Sequence, residues 1–128
     1  MDRLYLVVPC YNEEEVLPET VRRLTDKLRR MEEKGLVSGD SRILLVDDGS
    51  RDSTWELICG FHQENPVVSG LKLSRNRGHQ NALVAGLLTA RELCDITISL
   101  DADLQDDIPL QIDPALQYHP ASRHPEKW

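Results

Sequence analysis

Four short apolar runs recur along the chain, and each is closed by a polar cluster. Leu4, Tyr5, Leu6, Val7 and Val8 form the first, stopped by Pro9. Arg42 leads into the second, Ile43, Leu44, Leu45 and Val46, which stops at Asp47-Asp48. Residues 67–73 make a weaker third run, and Ile96, Thr97, Ile98, Ser99 and Leu100 make the fourth, stopped by Asp101-Ala102-Asp103. Continuous apolar runs of strand length suit strands buried on both faces of a parallel sheet. Between the first two runs, Val16, Leu17, Val21, Leu24, Leu28 and Met31 recur at helical spacing and end near Gly35. Glu13, Glu14 and Glu15 fall at the expected start of that helix, where the dipole favours negative charge. Trp55, Ile58 and Cys59 begin the apolar side of a second helix, with Asp52 or Ser53 as its N-cap, running toward Asn65-Pro66. Ala82, Leu83, Gly86, Leu87 and Ala90 predict a third, small-residue helix that packs closely on a sheet. The order β-α-β-α-β-α-β predicts an α/β fold: a Rossmann-like parallel sheet with right-handed crossovers and helices on both faces.

In such sheets ligands bind outside the carboxyl ends of the strands. Four polar clusters fall there: Tyr11-Asn12-Glu13, Asp47-Asp48, Arg75-Asn76-Arg77 and Asp101-Ala102-Asp103. Asp101 and Asp103 stand two apart, so in extended backbone their carboxylates point the same way. Crowded carboxylates repel, and a divalent cation is the simplest remedy. Gln105 adds a third oxygen, and the set suits Mg²⁺ or Mn²⁺, with the remaining coordination left to water and phosphate. The plain alternative is a solvated acidic loop. A carboxylate at Asp47 can accept from a base N–H or a ribose hydroxyl, whereas Asp48 is explained nearly as well by turn chemistry. Arg75, Arg77 and the helix start at Gly78 suit a phosphate, and a solvated basic turn explains them equally. Asn12 and Glu13 can hydrogen-bond a base or sugar with Tyr11 packed beside it. His79 by itself carries no assignment, and Trp55 reads as core.

Formal net charge is −7, which argues against nucleic acid as a partner, although a cation lets an acidic protein hold a phosphorylated ligand. Cys10, Cys59 and Cys94 are odd in number and widely spaced, reading as reduced, small apolar residues rather than a disulfide framework. Met1-Asp2-Arg3 leads straight into a strand with no signal-peptide pattern, and no apolar stretch approaches the ~18–20 residues of a membrane span. After Asp107 the periodicity stops. Pro109, Pro114, Pro120 and Pro125 mark residues 109–128 as an irregular tail, so His119 and His124 read as parts of a loop rather than as metal ligands. The folded unit is expected to span residues 1–108.

Taken in order, these clusters resemble the family 2 glycosyltransferases with the GT-A fold. The matching stretches are Val8-Pro9-Cys10-Tyr11-Asn12-Glu13-Glu14, Val46-Asp47-Asp48-Gly49-Ser50-Arg51-Asp52-Ser53-Thr54, Ser74-Arg75-Asn76-Arg77-Gly78 and Ser99-Leu100-Asp101-Ala102-Asp103-Leu104-Gln105-Asp106. The last looks most like the polyprenyl-phosphate branch, which loads sugars onto dolichyl or undecaprenyl phosphate. The resemblance covers residues 4 to about 108. It implies inverting transfer of a sugar from a UDP- or GDP-sugar to a lipid phosphate. In that arrangement Pro9, Tyr11, Asn12 and Glu13 line the nucleotide pocket, and Asp47 binds the base with Asp48 beside it. Arg75 and Asn76 border the donor, Ala102 lies in the donor-binding motif, and Asp101, Asp103 and Gln105 hold Mg²⁺ or Mn²⁺.

The family continues into an acceptor-binding half, often followed by membrane helices, and its catalytic base lies there. The chain is therefore expected to be a truncated nucleotide-binding part of an enzyme that works at the cytoplasmic face of a membrane. Apolar surface left uncovered by the absent half favours a homo-oligomer. The alternative is a truncated, non-catalytic module that binds nucleotide and metal. A phosphohydrolase with a DxD nucleophile fits poorly, because Leu104-Gln105 follows the motif. A dinucleotide dehydrogenase lacks its G-x-G-x-x-G after the first strand. A receiver-like phosphoacceptor would use Asp47-Asp48 and leave Asp101-Ala102-Asp103 unexplained.

Overall fold

The structure, a computed structural model, describes residues 2–102 and the backbone of 118–120. The expected metal ligands Asp103 and Gln105, and the rest of the 109–128 tail, lie outside the described residues. The elements are β1 (Leu4–Cys10), α1 (Leu17–Glu33), β2 (Arg42–Asp47), α2 (Thr54–Glu64), β3 (Val68–Lys72), α3 (His79–Ala90), β4 (Ile96–Ser99) and β5 (Tyr118–Pro120). They build one sheet in the order β3-β2-β1-β4-β5, with β3, β2, β1 and β4 mutually parallel. This is the expected Rossmann-like α/β fold.

β1 is central, pairing Val8 with Leu45 on one side and Leu6 with Ile98 on the other. Its side chains alternate between two cores. Leu4, Leu6, Val8 and Cys10 join Ile43, Leu45, Ile96 and Ile98 beneath α1 and α2. Val7 joins Leu44 and Val46 beneath α3. Helices therefore cover both faces. From α1, Leu17, Leu24 and Leu28 are fully buried, each worth about 1.5–3 kcal/mol of apolar transfer. α3 lies closest to the sheet. A Cβ on Gly86 would stand 2.6 Å from Val7 Cγ1 and 2.8 Å from Val46 Cγ2, so glycine there sets the distance.

Three expectations are corrected. The three glutamates do not open α1, which begins at Leu17 with Pro18 in its first turn. The backbone N–H groups of Asn12, Glu13 and Glu14 are taken by Ser50, Thr54 and Asp52 side chains, which holds that segment as a turn. Cys59 is exposed, because α2 lies over the sheet's edge and fully buries only Thr54 and Ile58. Within the tail, Tyr118–Pro120 is not irregular: it pairs antiparallel with β4, Tyr118 opposite Ile98, and so covers an otherwise open strand edge. As for the cap of α2, Asp52 rather than Ser53 does the work, its Oδ1 accepting the Thr54 N–H at 2.9 Å.

Candidate functional site

The carboxyl edge of the sheet is stitched together by side chains from different turns. β1 and β2 continue their ladder to Asp48, whose N–H donates to Cys10 O at 2.8 Å, and Leu73 N–H donates to Asp47 O at 2.9 Å. The turn after β1 is then tied to the turn after β2. Asn12 sits at φ 51°, its N–H donating to Ser50 Oγ and its Oδ1 accepting the Arg51 N–H, both at 2.9 Å. The Glu13 N–H donates to Thr54 Oγ1 at 2.9 Å. The second turn is tied in its own way to the turn before α3. Asp48 Oδ1 accepts the Arg77 N–H at 2.7 Å, and Oδ2 accepts the Gly78 N–H at 3.1 Å. Gly49, at φ 69°, lets the same two turns touch: a Cβ there would lie 2.4 Å from the backbone of Arg75 and Asn76.

These ties leave a cleft of about 290 Å³ beyond the ends of β1 and β4. Here the strand order changes direction, the switch point where open α/β sheets bind ligands. Of the residues singled out from the sequence, Pro9, Tyr11, Glu13, Asp48, Asn76, Asp101 and Ala102 line it. Cys10 and His79 line it as well and were not assigned. His79 opens α3, and its Nε2 lies 3.6 Å from Asp101 Oδ1. A lone histidine carries no spacing signal, and only the placement of α3 beside β4 reveals it. Cys10 ends the buried face of β1. Burial pushes its thiol far above the ordinary range and the Glu13 and Asp47 carboxylates add to this, so it is a neutral wall rather than a nucleophile.

Asn12, Asp47 and Arg75 stand apart from the cleft wall. Asn12 is used in tying its turn to the one after β2, and Arg75 is exposed. Asp47 is fully buried; its Oδ1 accepts the Ser50 N–H at 3.2 Å, and its Oδ2 has no hydrogen-bond partner among the described residues. A buried acceptor without a donor is costly, and this oxygen has capacity for one further N–H or O–H. Among the described residues no three His, Cys, Asp or Glu side chains gather as a metal cage. The donor set present is the exposed Asp101 carboxylate with the His79 imidazole beside it. An open carboxylate of this kind fits Mg²⁺ or Mn²⁺, which take few protein ligands and keep positions for water and phosphate. No helix of the described residues is long and apolar enough to cross a membrane.

Comparison with known proteins adds to this geometry. The model of glycosyl transferase family 2 matches residues 5–121. An uncharacterized glycosyltransferase, YkoT of Bacillus subtilis (strain 168), is 53% identical over 116 residues, covering 91% of this chain and 34% of that protein. An undecaprenyl-phosphate 4-deoxy-4-formamido-L-arabinose transferase of Pseudomonas fluorescens is 39% identical over 103 residues, covering 79% of this chain and 28% of its own length. The chain thus spans about a third of the length of the curated relatives it matches. Among solved structures, the mannosyltransferase PcManGT from Pyrobaculum calidifontis, in complex with GDP-Man and Mn²⁺, superimposes with a TM-score of 0.66 at 22% identity, covering 80% of this chain and 28% of that one. S. aureus TarS in complex with UDP-GlcNAc does so with a TM-score of 0.59 at 20% identity, covering 79% and 26%.

Proposed function

The chain belongs to glycosyl transferase family 2, and from that premise we propose that its cleft binds the donor of a sugar transfer to a polyprenyl phosphate. The donor is a UDP- or GDP-sugar. The observation that carries this reading is the convergence of four strand-end turns on one cleft at the β1/β4 switch point. Relatives named as undecaprenyl-phosphate sugar transferases support the lipid-phosphate acceptor. Since the chain spans about a third of those relatives, this reading assigns it donor binding and assigns acceptor binding and the catalytic base to the longer protein. The lipid acceptor would set the full enzyme at a membrane surface, on its cytoplasmic side where nucleotide sugars are found.

Tyr11 is exposed at the mouth of the cleft and offers an aromatic face to the base. Asp47, with its unpartnered buried oxygen, accepts an N–H or hydroxyl of the nucleoside. Asn76, in the cleft wall, borders the donor, and the exposed Arg75 beside it adds positive charge on that side. Asp101 would hold Mg²⁺ or Mn²⁺, with Asp103 and Gln105, outside the described residues, as its further ligands. When bound, the cation offsets the negative charge that grows on the departing nucleoside diphosphate.

Calorimetric titration of the chain with UDP and with GDP, in Mn²⁺ and then in EDTA, tests this reading. Binding of one nucleotide that Mn²⁺ strengthens over EDTA, with that gain lost in Asp101→Asn, is the expected result. A folded chain that binds neither nucleotide overturns it.

A further inference from the structure

α1 turns a buried stripe toward the sheet: Leu17, Thr20, Val21, Leu24, Leu28 and Met31. Thr20 is its polar member and is 3% exposed. A hydroxyl in such a stripe is costly unless bonded, and valine would fill the same volume without that cost. A helical threonine ordinarily returns its hydroxyl to the carbonyl four residues back. Thr89 in α3 does so, donating to Ala85 O at 2.8 Å. Thr20 does not. Its Oγ1 donates to the carbonyl of Ala102, 82 residues away, at 2.5 Å.

That carbonyl belongs to the residue immediately after Asp101. The last rung between β4's extension and β1 is Leu100 N–H to Val7 O at 3.0 Å. Beyond it the backbone leaves the sheet, and Ala102 tucks back into the core at 4% exposure. The segment is thus held on both sides of Asp101, by β1 at Leu100 and by α1 at Ala102. Between the two anchors the Asp101 carboxylate projects into the cleft with 71% of its side chain exposed. Fixing the Ala102 carbonyl also fixes the plane of the peptide bond that leaves Ala102.

We propose that Thr20 is a positioning residue for the cation-binding segment: its hydroxyl, reaching from α1, sets the backbone from which Asp101 meets the metal and diphosphate. The inference rests on the donor-site reading above. A buried, directional bond suits this role, because carboxylates that share a cation with phosphate must be held to within fractions of an ångström.

The test is calorimetric nucleotide binding with Mn²⁺ and with EDTA, on the wild-type chain, Thr20→Val and Thr20→Ser, with thermal melting of each. Thr20→Val keeps the shape and removes the donor. It is expected to weaken Mn²⁺-dependent binding roughly five- to tenfold, the worth of one buried hydrogen bond, while binding in EDTA matches wild type. Thr20→Ser is expected to restore affinity to within about twofold, since its hydroxyl can make the same bond. Should Thr20→Val not fold, Thr20→Ala repeats the deletion with a better helix former. Wild-type affinity in a folded deletion variant overturns the proposal, as does equal weakening with and without Mn²⁺, which signals a general packing role. If the wild-type chain binds no nucleotide in Mn²⁺, the donor-site reading has failed, and this inference falls with it.

Discussion

Asp47 and Asp48 are adjacent in the chain and serve different parts of the molecule. Asp47 accepts the N–H of Ser50 within its own turn, whereas Asp48 accepts the N–H groups of Arg77 and Gly78, some thirty residues away. The one holds a local bend and keeps a spare oxygen. The other clamps the start of α3 to the end of β2, and so sets one wall of the cleft.

Asp48→Ala is expected to lower stability by about 2–4 kcal/mol, because two backbone donors lose a carboxylate partner. Asp48→Asn keeps an acceptor for one of them and is expected to cost about half as much. Urea unfolding of the three chains measures this, and equal midpoints would show the clamp to be dispensable.

Asp47→Asn is expected to separate stability from binding. Its amide oxygen can still accept from Ser50, while its N–H₂ would stand where the proposed donor site needs an acceptor. Melting should stay within a few degrees of wild type, and nucleotide affinity should fall more than about tenfold. Unchanged affinity by calorimetry would remove Asp47 from the donor site.

Gly86→Ala is expected to destabilise by about 1–3 kcal/mol, since the new methyl meets Val7 and Val46 closer than 3 Å. Pairing it with Val46→Ala makes room and should recover part of the loss. A double-mutant cycle reads that coupling directly.

High pH is expected to unfold the chain through its buried thiols. Burial, with help from Asp95, pushes the Cys94 thiol up from 9.0 to about 11. Between those pH values the unfolded chain releases a proton that the folded chain retains, so folding stability falls as pH rises. Below about pH 9 the contribution is fully present. Cys94→Ala should flatten this limb in urea titrations at pH 8, 9.5 and 10.5, leaving the part due to Cys10 and Tyr5, both raised chiefly by burial. A limb of unchanged slope would assign the loss to other groups.

The main elements were legible because period is a local signal. The continuous apolar runs of β1 and β2, the stripe of α1 and the small residues of α3 all announce what they bury in the residues themselves. So did the gathering of Tyr11, Glu13, Asn76 and Asp101 at one edge, since each follows a strand. What escaped depends on contacts between distant positions. The bond from Thr20 to Ala102, the clamp from Asp48 to Gly78 and the approach of His79 to Asp101 join residues 82, 30 and 22 apart, and no spacing rule encodes them. The start of α1 was misread for a related reason. Glutamates favour a helix N-terminus in general, but here side chains from the 50–54 turn capture the backbone first.

The central place of β1 also governs when the molecule can fold. Its one edge pairs with residues 42–47, but its other edge waits for residues 96–99. During synthesis β1 therefore keeps an apolar, unpaired edge until residues 96–99 have emerged from the ribosome. Such late, non-local pairing slows folding and exposes nascent chains to association. A pause or cleavage before Ile96 would leave β1, β2 and β3 as a half-built sheet open along its middle strand, a species that chaperones would be expected to hold.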